Sequence, residues 1–376
     1  MILKISLRPL NKFFFGGESS FNEVNENNNR RATYVLHSRY YPQQTGVLGL
    51  IRNQLLLQNG LLWDNSASIK DKAAAKSLIG NYGFQVGYDK PYGVIKRISA
   101  VFLEDQNGNI CPPAPRDDVW MEKKSAKVKM LYTRKNDISI LRNYSEKSGL
   151  YDQLFRQDGE PVNLENVFEK KEQVGITKAA HPWKFQQNDD DAGYYYQTFL
   201  SFKKDATFGE LLIRQFVCYA EFADTPAFKF ESGLVEFGGE RCTFFMDVEK
   251  VAEKDFPKVQ TGYKLTTVDP TYSVKRLVCL SPCAVDIGKL RPLAGLIVSQ
   301  SLQFRFLQSK VDSTEEYQNI NRHTSVATTA PAESKLFQLF DRGSVVYFDP
   351  GKEADVRQLF DSADFQNIGY NQYNII

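Results

Sequence analysis

Apolar and polar residues alternate at the start of the chain. Leu3, Ile5 and Leu7 fall on one side, whereas Lys4 and Ser6 fall on the other. A period of two is the spacing of side chains on one face of a strand, so the pattern predicts a half-buried strand at the N-terminus.

The two segments that follow differ in how much apolar surface they carry. The stretch from Asn22 to Arg31 is polar and rich in asparagine. Burial could not offset the entropy lost when such a segment becomes ordered, so we expect a mobile loop. From Thr45 to about Asn59, apolar residues recur at helical spacing, Thr45 is a suitable N-cap, and Gly60 suits the position after the last turn. We predict the first helix there.

The order strand, helix, strand, strand occurs twice along the chain. In the first half, the helix is followed by a predicted strand at 94–104 and by turn-forming residues at 105–109. The second half has a predicted strand at 194–202, a helix at about 208–222, and a hairpin with arms at 234–237 and 242–248. This order opens a βαββαβ unit. We therefore predict an α+β protein of tandem ferredoxin-like (RRM-like) domains with inserted loops and hairpins.

The repeated order also predicts the domain organisation. Residues 1–185 would form the N-terminal domain, with a basic insert at about 105–173, and residues 186–376 would form a C-terminal domain that carries the glycine-rich hairpin. Later strands are predicted at 277–280, 297–306, 343–348 and near Tyr370, with a short helix at 354–360.

Charge is balanced over the whole chain but not along it. The formal net charge is only +2, so a polyanion would have to be held by a local patch. The most basic window runs from Met121 to Lys135. Within it, Lys123 and Lys124 are candidate phosphate contacts whose binding would depend on salt. A solvated loop without a ligand is the alternative interpretation.

Several classes of site and location are not indicated by the sequence. The five cysteines are scattered, the three histidines are too few for a multi-histidine metal centre, and no nucleotide-hydrolysis, zinc-protease or serine-hydrolase motif occurs. No secretory signal or membrane-spanning apolar run is present. We expect a cytoplasmic protein that uses no metal or cofactor and does not contact a membrane.

The ends of two predicted elements are candidate anion sites. The helix at Thr45 and Gly46 would present unpaired N–H groups, and Arg52 lies farther along the same helix. The hairpin at Gly238 and Gly239 would let backbone N–H groups approach a phosphate, with Arg241 beside them. The alternatives are an ordinary helix start and an ordinary turn with its arginine in solvent.

A third candidate is the sequence around His181. Trp183 could stack on an unpaired base, with His181 and Lys184 adjacent. Three consecutive aspartates at 189–191 are interpreted as a solvated loop. A histidine could also act as a general base on RNA, and His37 is a second possibility for that role. No spacing in the chain provides the partner groups that such catalysis requires.

Five segments, in this order, resemble the RAMP subunit of Cmr-type, type III-B CRISPR effector complexes (the Cas5 group). They are Tyr41-Pro42-Gln43-Gln44-Thr45-Gly46 leading into Leu50-Ile51-Arg52; Val101-Phe102-Leu103-Glu104 with Pro113-Ala114-Pro115-Arg116-Asp117; Phe237-Gly238-Gly239-Glu240-Arg241; Asp341-Arg342-Gly343-Ser344-Val345-Val346-Tyr347-Phe348; and Ile368-Gly369-Tyr370-Asn371. The resemblance thins at about 121–173 and 309–334, which look like inserts.

This resemblance implies RAMP domains and a non-catalytic role. A subunit of this family holds the 5′ handle of the crRNA and packs between the large Cas10-type signalling subunit and a backbone RAMP subunit. Two alternatives stay open: the equivalent subunit of another type III subtype, and a RAMP endoribonuclease that processes guide RNA precursors.

Overall fold

The computed structural model describes residues 1–17, 19–26, 29–63, 68–117, 120–123, 126–135, 138–144, 152–155, 161–176, 194–204, 212–252, 256, 272–308, 311 and 332–376. Its helices are α1 (Gln44–Gln58), α2 (Lys72–Ile79), α3 (Leu164–Val167), α4 (Ile287–Leu290), α5 (Glu353–Phe360) and α6 (Ala363–Gln366). Strands predominate, and the predicted α+β class is confirmed.

The strands of the first half are β1 (Ile2–Pro9), β2 (Ser19–Glu26), β3 (Asn29–His37), β4 (Ile95–Ile98), β5 (Phe102–Asp105), β6 (Ile110–Cys111), β7 (Trp120–Lys123), β8 (Ala126–Lys129), β9 (Leu131–Lys135), β10 (Ile138–Arg142), β11 (Gln153–Phe155), β12 (Pro161–Asn163) and β13 (Phe168–Ile176). Those of the second half are β14 (Tyr194–Phe202), β15 (Ile213–Phe222), β16 (Gly233–Glu236), β17 (Thr243–Val251), β18 (Lys275–Cys279), β19 (Cys283–Ala284), β20 (Ala294–Val298), β21 (Ser301–Phe304), β22 (Leu307–Gln308), β23 (Ala332–Glu333), β24 (Phe337–Phe340), β25 (Val345–Phe348) and β26 (Tyr373–Ile375).

The largest sheet is built around the N-terminal strand. Its strand order is β16-β17-β1-β15-β5-β6, and β4 also pairs with β15. β1 pairs antiparallel with β15 on one side and with β17 on the other. The predicted strand at the N-terminus is therefore confirmed, but it lies in the middle of the sheet, and even Ser6 on its polar side is buried.

Both faces of this sheet are covered in its central part. Leu3, Ile5 and Leu7 belong to a core that also contains Val47 and Ile51 of α1. The opposite face packs its apolar residues in a second core, which is shared with the sheet β20-β25-β18-β26. That second sheet is in turn covered by α5, through a third cluster of buried residues. The result is a layered arrangement of helix, sheet, sheet and helix.

The predicted helix at about 208–222 is wrong. Residues 213–222 form strand β15, which lies between β1 and β5 and has Phe216, Val217, Cys218 and Tyr219 buried in succession. A strand buried on both faces loses its alternating pattern and becomes continuously apolar. The helical spacing of its apolar residues was therefore a by-product of two-sided burial.

The predicted mobile loop at Asn22–Arg31 is also wrong. The chain there forms the hairpin of β2 and β3, with pairs from Ser19↔Leu36 to Glu26↔Asn29. β3 runs parallel to β14, so the hairpin completes the four-stranded sheet β13-β14-β3-β2. The polar segment satisfies backbone groups by pairing within the hairpin, and β14 anchors the other end of β3 at residues 34–37, which a local composition argument cannot anticipate.

The remaining predicted elements are confirmed, and two of them are divided. The strand predicted at 94–104 is interrupted between β4 and β5, and the one predicted at 297–306 corresponds to parts of β20 and β21, which lie in different sheets. The hairpin of β16 and β17, strand β14, the late strands and the short helix α5 occur where they were expected.

The tandem ferredoxin-like arrangement is not confirmed. Loss of the second-half helix removes one of its two predicted units, and β15 and β17 pair with β1 across the predicted boundary at 185/186. The division into domains 1–185 and 186–376 stays a prediction. Among the residues described, no helix is long and apolar enough to cross a membrane.

Candidate nucleic-acid interface

A cleft of about 270 Å³ lies where distant parts of the chain meet. Three of the five segments that carried the family resemblance contribute to its walls. The lining residues are Gly17, His37, Ser38, Arg39, Tyr40, Tyr41, Pro42, Gln43, Pro113, Ala114, Arg116, Asp152, Gln153, Leu164, Pro282, Gln300, Ser301, Leu302, Asp341 and Arg342. Segments more than 200 residues apart in sequence therefore form one concave surface.

Backbone contacts hold two of these segments together. The N–H of Arg116 donates to the carbonyl of Gly343 at 2.8 Å. Gly343 has a φ of +75°, and a Cβ at this position would lie 2.4 Å from the carbonyl oxygen of Ala114. A glycine is thus required for the close approach of these two segments. The prolines at 112, 113 and 115 keep the first segment extended and without backbone donors of its own at those positions.

The guanidinium of Arg116 is a buried polar group in the cleft. Only 2% of the residue is exposed. Its Nη2 donates to Oδ1 of Asp152 at 2.6 Å and lies 3.8 Å from Oδ2 of Asp341, and its Nε donates to the carbonyl of Arg342 at 3.1 Å. Its Nη1 is buried and has no hydrogen-bond partner among the described residues. Leaving a buried donor without an acceptor costs free energy, so an acceptor atom of a ligand that reached Nη1 would satisfy it.

A second buried arginine, Arg342, lies beside Arg116. Arg342 donates from Nη1 to the carbonyls of Val101 and Leu280 at 2.7 and 3.2 Å, and its guanidinium carbon lies 4.3 Å from the ring centre of Tyr41. Burial lowers the pKa of Arg342, and burial also raises that of Tyr41 above its ordinary range. The interaction fixes the orientation of the tyrosine ring.

Two aspartates and the half-buried Arg39 are the charged groups that reach the surface of the cleft. Asp152 and Asp341 are 36% and 28% exposed, whereas Arg116 and Arg342 are buried behind them. Burial raises the pKa of Asp152, against the opposing effect of Arg116. Burial, with Glu165 and Asp152 nearby, raises the pKa of Tyr40 to about 12. The cleft is therefore polar and aromatic without being a strongly basic surface.

The start of helix α1 lies beside this cleft. The prediction that Thr45 is the N-cap is wrong, because Gln43 occupies that position and Thr45 is already inside the helix. Tyr370 donates to Oε1 of Gln43 at 3.1 Å, and Gln44 donates to the carbonyl of Ser99 at 2.9 Å. The segment that contains Tyr370 thus supports the segment at the start of α1, while Gly46 is exposed.

The glycine hairpin packs against the segment Phe13-Phe14-Phe15. The N–H of Gly239 donates to the carbonyl of Phe14 at 2.8 Å. Gly238 has a φ of +84°, and a Cβ there would lie 2.5 Å from the same oxygen. The close approach that these glycines permit is therefore made to protein backbone, which leaves the N–H of Gly239 occupied. A Cβ on Gly46 would lie 3.7 Å from the ring of Phe237, so hairpin and helix start are neighbours.

Two arginines of the predicted site have opposite environments. Arg241 is 87% exposed, and its nearest acid is Glu236 at 3.9 Å. Arg52 lies near Tyr88 and Tyr92, and burial lowers its pKa to about 10. Arg241 is therefore accessible to solvent, whereas Arg52 is half-buried on α1.

The remaining predicted residues are described only in part. Lys123 ends strand β7, and its side chain is outside the described residues, as are Lys124, His181, Trp183, Lys184 and the aspartates at 189–191. His37 is exposed at the cleft. RNA contacts by all eleven predicted residues stay predictions. Within the described part of the chain, no cluster of three or more metal-ligating side chains occurs.

Sequence reasoning missed the residues that line the cleft as a site. Arg116 and Arg342 stood inside segments that carried the resemblance, and their neighbouring proline and glycine residues were the available signal. Asp152 had no such signal, because it lies in a stretch that was interpreted as an insert. Only the pairing of Arg116 with Asp152 in three dimensions connects them.

A family model and solved chains are similar to this chain. No curated protein matches this chain. Two solved chains are similar over 98% of this chain: one from a cryo-EM structure of the type III-B Cmr-beta complex bound to cognate target RNA (13% identity, 96% of that chain, TM-score 0.48), and one from the same kind of complex with target RNA and AMPPnP in state 1 (13% identity, 95% of that chain, TM-score 0.44). The family model CRISPR-associated protein (Cas_Cmr3) matches residues 5–376, and the chain belongs to that family.

Proposed function

We propose that this chain is the non-catalytic subunit of a type III-B CRISPR effector complex that binds the 5′ handle of the crRNA. In this role it links the large Cas10-type subunit to the backbone RAMP subunits. The mechanism is positional: the subunit fixes one end of the guide and thereby sets where the backbone subunits begin.

The observation that carries the proposal is the combination of family membership with one shared cleft. The Cas_Cmr3 model matches residues 5–376, so the assignment does not depend on a single motif. Three of the five segments that carry the resemblance line the cleft. A fourth, Ile368-Gly369-Tyr370-Asn371, supports its wall through the hydrogen bond from Tyr370 to Gln43. Recognition of splayed bases requires such a concave, partly aromatic surface.

The largest sheet also supports a RAMP fold. The strands β17, β1, β15 and β5 are adjacent in that order and all antiparallel, and α1 lies in the connection between β1 and the pair β4 and β5. We propose that this is a modified ferredoxin-like unit, in which the segment between β15 and β16 has no helix corresponding to the second one.

Photocrosslinking in the assembled complex tests the proposal. The crRNA would carry 4-thiouridine at single positions, either in the 5′ handle or near the 3′ end. We expect crosslinks from handle positions to peptides of this chain that line the cleft or the hairpin at Gly238, and no crosslinks from the 3′ end. Handle crosslinks found exclusively on other subunits would contradict the proposal.

The absence of catalysis is a part of the proposal that can be tested separately. Incubation of the purified chain with repeat RNA should leave the RNA intact. Cleavage by the wild-type chain that is lost in His37→Ala or His181→Ala would establish the endoribonuclease alternative instead.

A further inference from the structure

The walls of the cleft suit a flat, uncharged group. Pro42, Pro113, Pro282, Leu164 and Leu302 provide apolar surface, and Tyr40 and Tyr41 provide aromatic surface. Its volume of about 270 Å³ is below the range typical of pockets for drug-sized ligands. There is space for one planar ring system such as a single nucleobase.

The charges argue against a phosphate in this position. The described residues that line the cleft include three arginines and two aspartates. Arg116 and Arg342 are buried and paired with carboxylate or carbonyl oxygens, and Arg39 is half-buried. Asp152 and Asp341 are the more exposed groups, and carboxylates repel a phosphodiester. The same oxygens can accept hydrogen bonds from N–H groups of a base.

One oxygen of each aspartate accepts a hydrogen bond within the protein, and the other accepts none among the described residues, although Oδ2 of Asp341 lies 3.8 Å from Nη2 of Arg116. Asp152 uses Oδ1 to accept from Arg116 at 2.6 Å, and Asp341 uses Oδ1 to accept from the N–H of Arg342 at 2.8 Å. Behind them, Nη1 of the nine-tenths-buried Arg116 has no acceptor among the described residues. The cleft therefore combines carboxylate acceptors with one arginine donor that lacks an acceptor.

We propose that the cleft selects a guanine base of the bound RNA. Guanine presents two adjacent donors, the N1 imino and N2 amino groups, next to the acceptor O6. The donors match a carboxylate of Asp152 or Asp341, and O6 or N7 matches Arg116. Uracil offers one donor, N3–H, between two carbonyl oxygens that a carboxylate repels, and adenine and cytosine each offer an amino group without an adjacent imino donor. This inference rests on the proposed function, since it assigns a base preference to the same RNA site.

The test compares RNAs that differ in one base. Fluorescence anisotropy would measure binding of the purified chain to oligouridylate and to the same RNA with one central guanine, adenine, cytosine or inosine. We expect the guanine RNA to bind about tenfold more tightly than oligouridylate, the discrimination typical of one bidentate contact. Inosine lacks the 2-amino group and should lose much of this gain. Because inosine alters the ligand, this arm does not depend on the folding of a variant.

Variants then locate the preference in the cleft. Asp341→Asn removes the charge but keeps an oxygen that accepts from the N–H of Arg342. Asp152→Asn likewise removes the charge but keeps an oxygen that accepts from Arg116. Each substitution should reduce the guanine preference to less than about threefold. Asp355→Asn, on the exposed side of α5, is the matched control and should keep it. Circular dichroism confirms folding.

The remaining outcomes separate this inference from the proposed function. Equal binding of all single-base RNAs, with preferred binding of handle RNA over a scrambled handle, overturns the guanine site and leaves handle binding intact. A guanine preference that survives in both folded aspartate variants overturns its location in the cleft. Failure to bind any RNA, the handle included, overturns both.

Discussion

The guanidinium of Arg276 donates from Nη1 to both carboxylate oxygens of Asp117, at 3.1 Å each, and neither side chain is exposed. Asp117 directly follows Arg116 of the cleft, whereas Arg276 lies in β18 of the second sheet. Tyr347 of β25 also donates to this carboxylate. A buried ion pair thus fixes the cleft-forming segment to the second sheet.

We expect Asp117→Asn to destabilise the protein by about 3–5 kcal/mol, because it leaves the Arg276 charge buried and without its partner. Urea denaturation would measure the change in the free energy of unfolding. The exposed pair of Lys229 and Glu231, 3.1 Å apart, is the control, and Glu231→Gln should cost about 1 kcal/mol or less. Equal effects of the two substitutions would contradict a structural role for the buried pair.

The glycine hairpin gives a second expectation for stability. Gly238→Ala should lower the free energy of unfolding by about 2 kcal/mol, since the position combines a positive φ with a close approach to the Phe14 carbonyl. Gly351→Ala is the matched control, because a Cβ there meets no atom within 4 Å. If Gly238→Ala proved as stable as Gly351→Ala, the hairpin would not depend on that contact.

A third expectation concerns pH. Hydrogen bonds from Lys275 and Arg357 hold the pKa of Glu353 below its ordinary value of 4.5. A carboxylate whose pKa is lowered in the folded state stabilises the protein at pH values above its pKa in the unfolded state. This contribution is lost as the pH falls through the pKa of the folded state. The stability gap between wild type and Glu353→Gln should therefore be full at about pH 7 and shrink below pH 4.5. Thermal melts across this range would measure it.

Asp355→Asn on the same helix is the control for that series. A gap between wild type and Glu353→Gln that stays constant down to acid unfolding would show that the two basic residues do not stabilise the carboxylate.

The sequence predicted local elements better than their assembly. Alternation identified β1, and helical spacing with Gly60 identified α1, because each of these elements has one buried side that imposes a period on the sequence. β15 was mistaken for a helix because burial on both faces removed that period. The β2 and β3 hairpin was mistaken for a loop because its stabilising partner, β14, is distant in sequence.

The same distinction applies to the candidate site. The five resemblance segments contained Tyr41, Arg116 and Arg342, but no spacing indicated that they line one cleft. Asp152 could not be found at all, because its significance comes from its contact with Arg116. The glycines at 238 and 239 were correctly placed in a turn, yet the group they approach is the Phe14 carbonyl.

The most direct test of the central claim is binding of the purified chain to a short RNA that carries the repeat-derived 5′ handle, compared with a scrambled handle, at two salt concentrations. We expect tighter binding to the true handle at both concentrations. Arg241→Ala should weaken binding of both RNAs and reduce the salt slope by about one unit, as expected for one phosphate contact. Equal affinity for the two RNAs, or no binding to either, would contradict handle recognition by this chain.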